Sequence, residues 1–186
     1  RDSDENLWVG TFDKLHKLPK NSSVFEVFNL KDKGYSDIKN NLILSIQPQS
    51  VTNDQTLWIG TQTGLAIFSR KTNDFRLITE QNSELSNASV KSILVSGNDK
   101  HWLCTDFGLA ETDDSGHILN MYYHDPFNKS SLGNSTVWSS FSDNTGNLWF
   151  GTGNGISILS RKTERFSFIP VFYEHSGKKV GCEINK

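Results

Sequence analysis

The chain has 186 residues, of which 35% are hydrophobic, 22% charged and 11% aromatic; this is enough for a sizeable core, but no apolar run approaches the roughly 20 residues of a membrane-spanning helix. Nineteen Lys and Arg against 21 Asp and Glu leave a formal charge of −2 with no basic block, which excludes phosphate tracking along nucleic acid, and no membrane contact by this segment is expected. Two cysteines, Cys104 and Cys182, exclude a disulfide framework and a four-cysteine zinc site.

In chain order, residues 5–28 open with Leu7-Trp8-Val9-Gly10-Thr11 and offer three short extended segments. Segments 42–47, 57–61, 65–69 and 75–79 follow, the second of them carrying Leu57-Trp58-Ile59-Gly60-Thr61. Segments 90–95, 102–105, 109–112 and 118–123 repeat the plan around His101-Trp102-Leu103-Cys104-Thr105. A third full set, 137–142, 148–152, 156–160 and 165–169, contains Leu148-Trp149-Phe150-Gly151-Thr152. There Asp143-Asn144-Thr145-Gly146-Asn147 is a strong hairpin turn, because Asn and Gly accept positive φ. Residues 179–185 read as one more first strand. No window shows sustained helical periodicity.

The four tryptophans lie 50, 44 and 47 residues apart. Four antiparallel strands recurring at that period are the signature of propeller blades. The expectation is therefore an all-β chain, a β-propeller of about four four-stranded antiparallel blades. The approximate repeats are 5–41, 42–88, 89–135 and 136–178, with 179–186 starting the next blade. A lone sheet of this size has two faces to cover, and stacking blades buries both. Trp8, Trp58, Trp102 and Trp149 are then equivalent buried wedges on second strands, each contributing about 1.5–3 kcal/mol or more.

The string from Asp143 through Gly155-Ile156 resembles the two-component regulator propeller repeat, which runs Asp, two variable residues, Gly-Asn, Leu-Trp-Ile-Gly-Thr and a Gly-Leu turn. The stretches 84–90 and 130–138 resemble that family's connections between blades. The resemblance implies a periplasmic sensor region of an inner-membrane hybrid histidine kinase of the Bacteroides type, usually built of two seven-bladed propellers, so this chain is expected to be part of a larger ring. It also implies sensing of an oligosaccharide and relay to the kinase. Three departures stand out: His101 and Cys104 replace Leu and Gly, no Gly-Leu follows Thr11, and 47–56 is longer than an Asp-Gly turn. If the ring closes between the chain's own ends, 179–185 pairs with 7–11 of this chain or of a second copy; otherwise the remaining blades of the parent propeller are its neighbours.

Chemistry-bearing patterns are sparse. Gly151-Thr152-Gly153-Asn154-Gly155 lacks the following helix that a phosphate loop needs. His16, His101, His117, His124 and His175 are never spaced as metal-binding pairs. No nucleophile has a recognisable base, so no catalytic residue, metal ligand or cofactor is expected, and the segment is not expected to be an enzyme. A propeller interaction scaffold is the alternative to a sensor, and a propeller glycosidase or lyase the third possibility. Sugars want aromatic faces and planar polar groups. The fourth-to-first connections and the second-to-third turns emerge on one face, where Trp138, Phe107, Asp106 and Phe12 are the ligand-binding candidates. Packing between blades is the competing role for Trp138, loop anchoring for Phe107, and an ordinary turn for Asp106. Cys104 is expected to be a buried thiol, unlinked to Cys182.

Overall fold

The computed structural model describes residues 1–12, 14–29, 42–49, 55–79, 84–85, 88–96, 100–175 and 178–181, the strands after 171 as backbone only. Every described regular element is a strand. The first sheet holds β1 (Leu7–Gly10), β2 (Leu15–Leu18) and β3 (Glu26–Phe28). Three four-stranded antiparallel sheets follow. They are β4 (Ile43–Pro48), β5 (Thr56–Thr61), β6 (Gly64–Ser69) and β7 (Asp74–Ile78); then β8 (Val90–Ser96), β9 (Lys100–Thr105), β10 (Gly108–Asp113) and β11 (Ile118–Tyr122); then β12 (Val137–Ser142), β13 (Leu148–Thr152), β14 (Gly155–Leu159) and β15 (Phe166–Ile169). Each strand pairs with its neighbour in sequence, and the first strands β4, β8 and β12 lie beside one another. Such a series of meanders with adjoining first strands is an arc of propeller blades.

The alternation of the repeated pentad decides what each seam contains, because successive strand residues face opposite sides of their sheet. Leu57 and Ile59 point back and pack with Leu15, Ala66 and Phe68 in the first seam. Trp58 points forward, joining Leu65, Ile67, Leu103 and Ala110 in the second. Trp102 does the same in the third, with Leu109, Val137, Phe150 and Phe166. The Gly after the Trp is steric: a Cβ on Gly60 would overlap the Val90 carbonyl oxygen of the following blade. In the next repeat this place is held by Cys104, fully buried beside Ser92 and Ser140, and burial pushes its thiol up to about 12. The Thr closes the strand by donating to the carbonyl three residues on, at 2.9 Å from Thr61 to Gly64 and 2.7 Å from Thr105 to Gly108.

Two of the four expected wedges are not fully buried. Trp58 and Trp102 are buried, whereas Trp8 and Trp149 are half-buried. Trp149 faces forward where no described four-stranded sheet covers it, and β1 pairs only with β2, so Trp8 lacks the inner flank on which Gln47 stands beside Trp58. Their indole N–H groups are satisfied instead by turn carboxylates, Trp8 by Asp2 Oδ2 at 2.8 Å and Trp149 by Asp143 Oδ2 at 2.9 Å. Asp143 also accepts from Thr145 and Asn147, and these bonds hold its carboxyl well below the usual range, Thr145 and Trp149 first. Asp2 and Asn6 reproduce this turn at the same offsets from Trp8, with Glu5 at φ 63° where Gly146 has φ 83°. The Asp–Asn turn of the last four-stranded blade thus recurs at residues 2–6, ahead of β1. Asp2 additionally pairs with Arg70 of the next sheet at 2.9 Å, its side chain 1% exposed.

At the other end the structure departs from expectation. Strand β16 (Phe172–His175), absent from the sequence reading, forms a two-stranded antiparallel sheet with β17 (Lys178–Gly181). The segment proposed to pair with 7–11 is therefore paired locally as far as Gly181, and 182–185 lie outside the described residues. Cys182 lies there too, so its pairing is undescribed.

Candidate functional site

Each four-stranded blade carries a β-bulge at the same point. Ile43, Val90 and Val137 pair with Thr61, Thr105 and Thr152, but the next paired residues are Ser45, Ser92 and Ser139. The extra residue is Leu44, Lys91 or Trp138. A bulge re-aims a side chain away from the alternation that packs its sheet. Here it does so on three adjoining inner strands, at the end where the fourth-to-first connections and second-to-third turns emerge.

These groups converge. The Lys91 ammonium stands 4.4 Å from the centre of the Trp138 ring, a cation–π contact across the third seam. The same ammonium pairs with Asp106 and lies 3.0 Å from Ser89 Oγ, whose hydroxyl donates to Asp106 Oδ2. Burial pushes the Asp106 carboxyl up, but the bonds from Lys91 and Ser89 and the charge of Lys91 more than reverse it, so its pKa lies below the usual value. Thr136 Oγ1 donates to the Asp106 carbonyl at 3.3 Å, tying the entry of the last four-stranded blade to this turn. An open hollow of about 460 Å³ is bordered by Leu42, Leu44, Gln62, Ser89, Lys91 and Asp106. A smaller one of about 270 Å³ is bordered by Trp138, Ser139, Gly151 and Thr152.

Of the sequence candidates, Trp138 and Asp106 are brought together through Lys91. Trp138 is 48% exposed, so interblade packing does not absorb it. Phe107 adjoins Asp106 in the turn, 55% exposed, its amide bonded to Thr105 Oγ1 at 3.1 Å. Phe12, 68% exposed, stands in the corresponding turn of the first sheet and borders neither hollow. Sequence reasoning missed Lys91, Ser89 and Leu44. The signal was available, because Leu44, Lys91 and Trp138 are spaced by 47 and 47 residues.

Residues 131–154 match the family model described as two component regulator propeller. No curated protein matches the chain by sequence. Among solved structures, the extracellular domain described as that of the hybrid two-component system BT4673 from B. thetaiotaomicron is 28% identical, with a TM-score of 0.72 over 92% of this chain. This chain spans only about a fifth of that domain's length, 21%. An ancestral GH74 enzyme (15% identity, TM-score 0.69, 92% of this chain and 23% of that one) shares the fold alone. So does virginiamycin B lyase from Staphylococcus aureus (12% identity, TM-score 0.62, 92% of this chain and 57% of that one). The matched stretch holds the Asp143 turn and the Trp149 strand described above, and it is this stretch that carries the repeat of the two-component regulator propeller family.

Proposed function

We propose that the chain forms part of the extracytoplasmic, periplasmic sensor region of a hybrid two-component signalling protein, detecting an oligosaccharide and relaying its binding to a histidine kinase. The observation that carries the binding site is the triple bulge, which places Leu44, Lys91 and Trp138 on one end of three adjoining blades. The likeness to an extracellular two-component domain supports the sensor role. Lys91 takes one contact of the Trp138 ring, so a sugar stacks on the part of the indole that borders the smaller hollow, while Asp106 accepts from its hydroxyls and Phe107 flanks it. Phe12, on another blade, plays at most a peripheral role.

Calorimetric titration of the whole sensor region with plant, host and microbial oligosaccharides tests this proposal. Trp138→Ala should weaken binding by about tenfold or more, the worth of a stacked aromatic contact, and Phe107→Ala less. Undiminished binding in both variants overturns the site. No binding of any glycan by the sensor region overturns the ligand class and leaves a protein-interaction platform.

A further inference from the structure

The third seam differs in chemistry from the second. Beside Trp58, the cross-strand places on β6 and β7 hold Ile67, Arg76 and Ile78; beside Trp102, the same places on β10 and β11 hold Glu111, Asn120 and Tyr122. Where Ile67 and Ile78 pack into the second seam, the third opens into a hollow of about 500 Å³ bordered by Trp102, Glu111, Asn120, Tyr122, Leu148 and Arg161. The Glu111 side chain is only 3% exposed, yet charged: it accepts from Asn120 Nδ2 at 2.7 Å and Tyr122 OH at 2.9 Å and pairs with Lys100. Burial raises its carboxyl pKa, but Lys100, Asn120 and Tyr122 bring it below the usual value. The Trp102 ring lies 5.7 Å from that of Tyr122, and its indole N–H is buried without a hydrogen-bond partner. The orphaned donor is shared with Trp58 of the second seam, but a buried carboxylate is costly where the sister blade uses isoleucine. In the other four-stranded blades the place opposite the Trp is isoleucine, Ile67 and Ile158, and a break of such a local rule marks a functional place.

We propose that this hollow binds a neutral polyhydroxylated ligand of mono- or disaccharide size, at a site separate from the axial one. Lys100 opens β9 (Lys100–Thr105) at one site and Asp106 follows its other end, and the strand between them spans about 17 Å at about 3.4 Å per residue, so the two sites do not overlap. The charged groups of the wall, Lys100 and Arg161 against Glu111 and Glu164, sum to zero, so an ion gains no net attraction there. Carboxylate, amide, phenol and guanidinium present donors and acceptors to hydroxyls, and two aromatic rings offer apolar faces to a pyranose.

The test is a nuclear magnetic resonance titration of the full chain, following the indole N–H signals of Trp102 and Trp138. The probes are glucose, galactose, xylose and cellobiose, with glutamate and inorganic phosphate as charged comparators. A neutral sugar should shift the Trp102 signal saturably, with a midpoint independent of any shift at Trp138. Arg161→Ala, at an exposed position that leaves the fold intact, and Asn120→Ala should each weaken that response by about tenfold, the loss of a hydrogen bond in a polar wall. Trp138→Ala should leave it unchanged, which separates this site from the axial one. Silence of Trp102 toward all four sugars, response to the charged comparators alone, or undiminished response in both wall variants overturns the proposal.

Discussion

Replacing Trp58 by Ala tests the stacking of blades directly. The side chain is 0% exposed and sits in the second seam among Leu65, Ile67, Leu103 and Ala110. Truncating a buried Trp costs about 3–5 kcal/mol through lost transfer energy and the cavity left behind. One contribution has the opposite sign, since the Trp58 indole N–H is buried without a partner, and its removal returns about 1 kcal/mol, the low end for an unsatisfied buried donor. The expected loss is therefore about 2–4 kcal/mol. Trp149 is half-buried and its N–H is bonded, so Trp149→Ala should cost less, about 1.5–2.5 kcal/mol, by scaling the same cavity figure to half the burial. Trp58→Phe separates the two contributions, keeping a ring while deleting the orphaned donor, and should cost less than either truncation would suggest. Urea unfolding followed by far-ultraviolet circular dichroism measures all three at constant slope. A Trp58→Ala loss below about 1 kcal/mol, or a larger loss at Trp149, would refute the account of the seams.

Two further outcomes follow from the same geometry. Gly60→Ala should destabilise the chain by about 1–3 kcal/mol, because the new methyl meets the backbone carbonyl of Val90, which cannot step aside; an unchanged melting temperature would contradict that. The buried Asp2–Arg70 pair should give an acid-dependent contribution. Desolvation raises the Asp2 pKa, but Asn6, Trp8 and Arg70 together depress it below its usual 3.8. The unfolded chain thus binds the proton first as pH falls, so the stabilisation is complete above about pH 4 and lost as pH falls through the folded value. The gap between the native chain and Asp2→Asn in urea unfolding should hold steady down to about pH 4 and narrow as pH falls further; a gap that stays constant or widens below about pH 4 would show that the carboxylate is not the source.

Strand positions were legible because each blade repeats the same alternation and the same turn residues: 137–142 and 148–152 coincide with β12 and β13, and 90–95 differs from β8 by one residue. The copy of the Asp143 turn at Asp2 was harder to see, because Glu5 stands where Gly146 advertises a left-handed backbone. Strand β16 follows Pro170 and belongs to no repeat position, so periodicity carried no trace of it. For the site, exposed aromatics in loops pointed to Trp138 and Phe107, but Lys91 looks like one more surface lysine until the bulge is known. Its grip on both Asp106 and Trp138 is a three-dimensional fact. Likewise Glu111 in Leu109-Ala110-Glu111-Thr112 reads as the polar end of a strand; only its register opposite Trp102 shows that it faces a seam.

The bulge also separates two kinds of inheritance within one repeat. Residues in strict alternation answer to the neighbouring blade, so a change of size there must be matched across a seam. The extra residue is released from that obligation: Leu44, Lys91 and Trp138 are an aliphatic, a cation and an aromatic at one structural address, while the frame around them keeps its Thr, its Gly or Cys, and its Trp. A ring assembled from such units can alter what its axial end displays one blade at a time, leaving the stacking untouched, much as movable type changes the text without recasting the press.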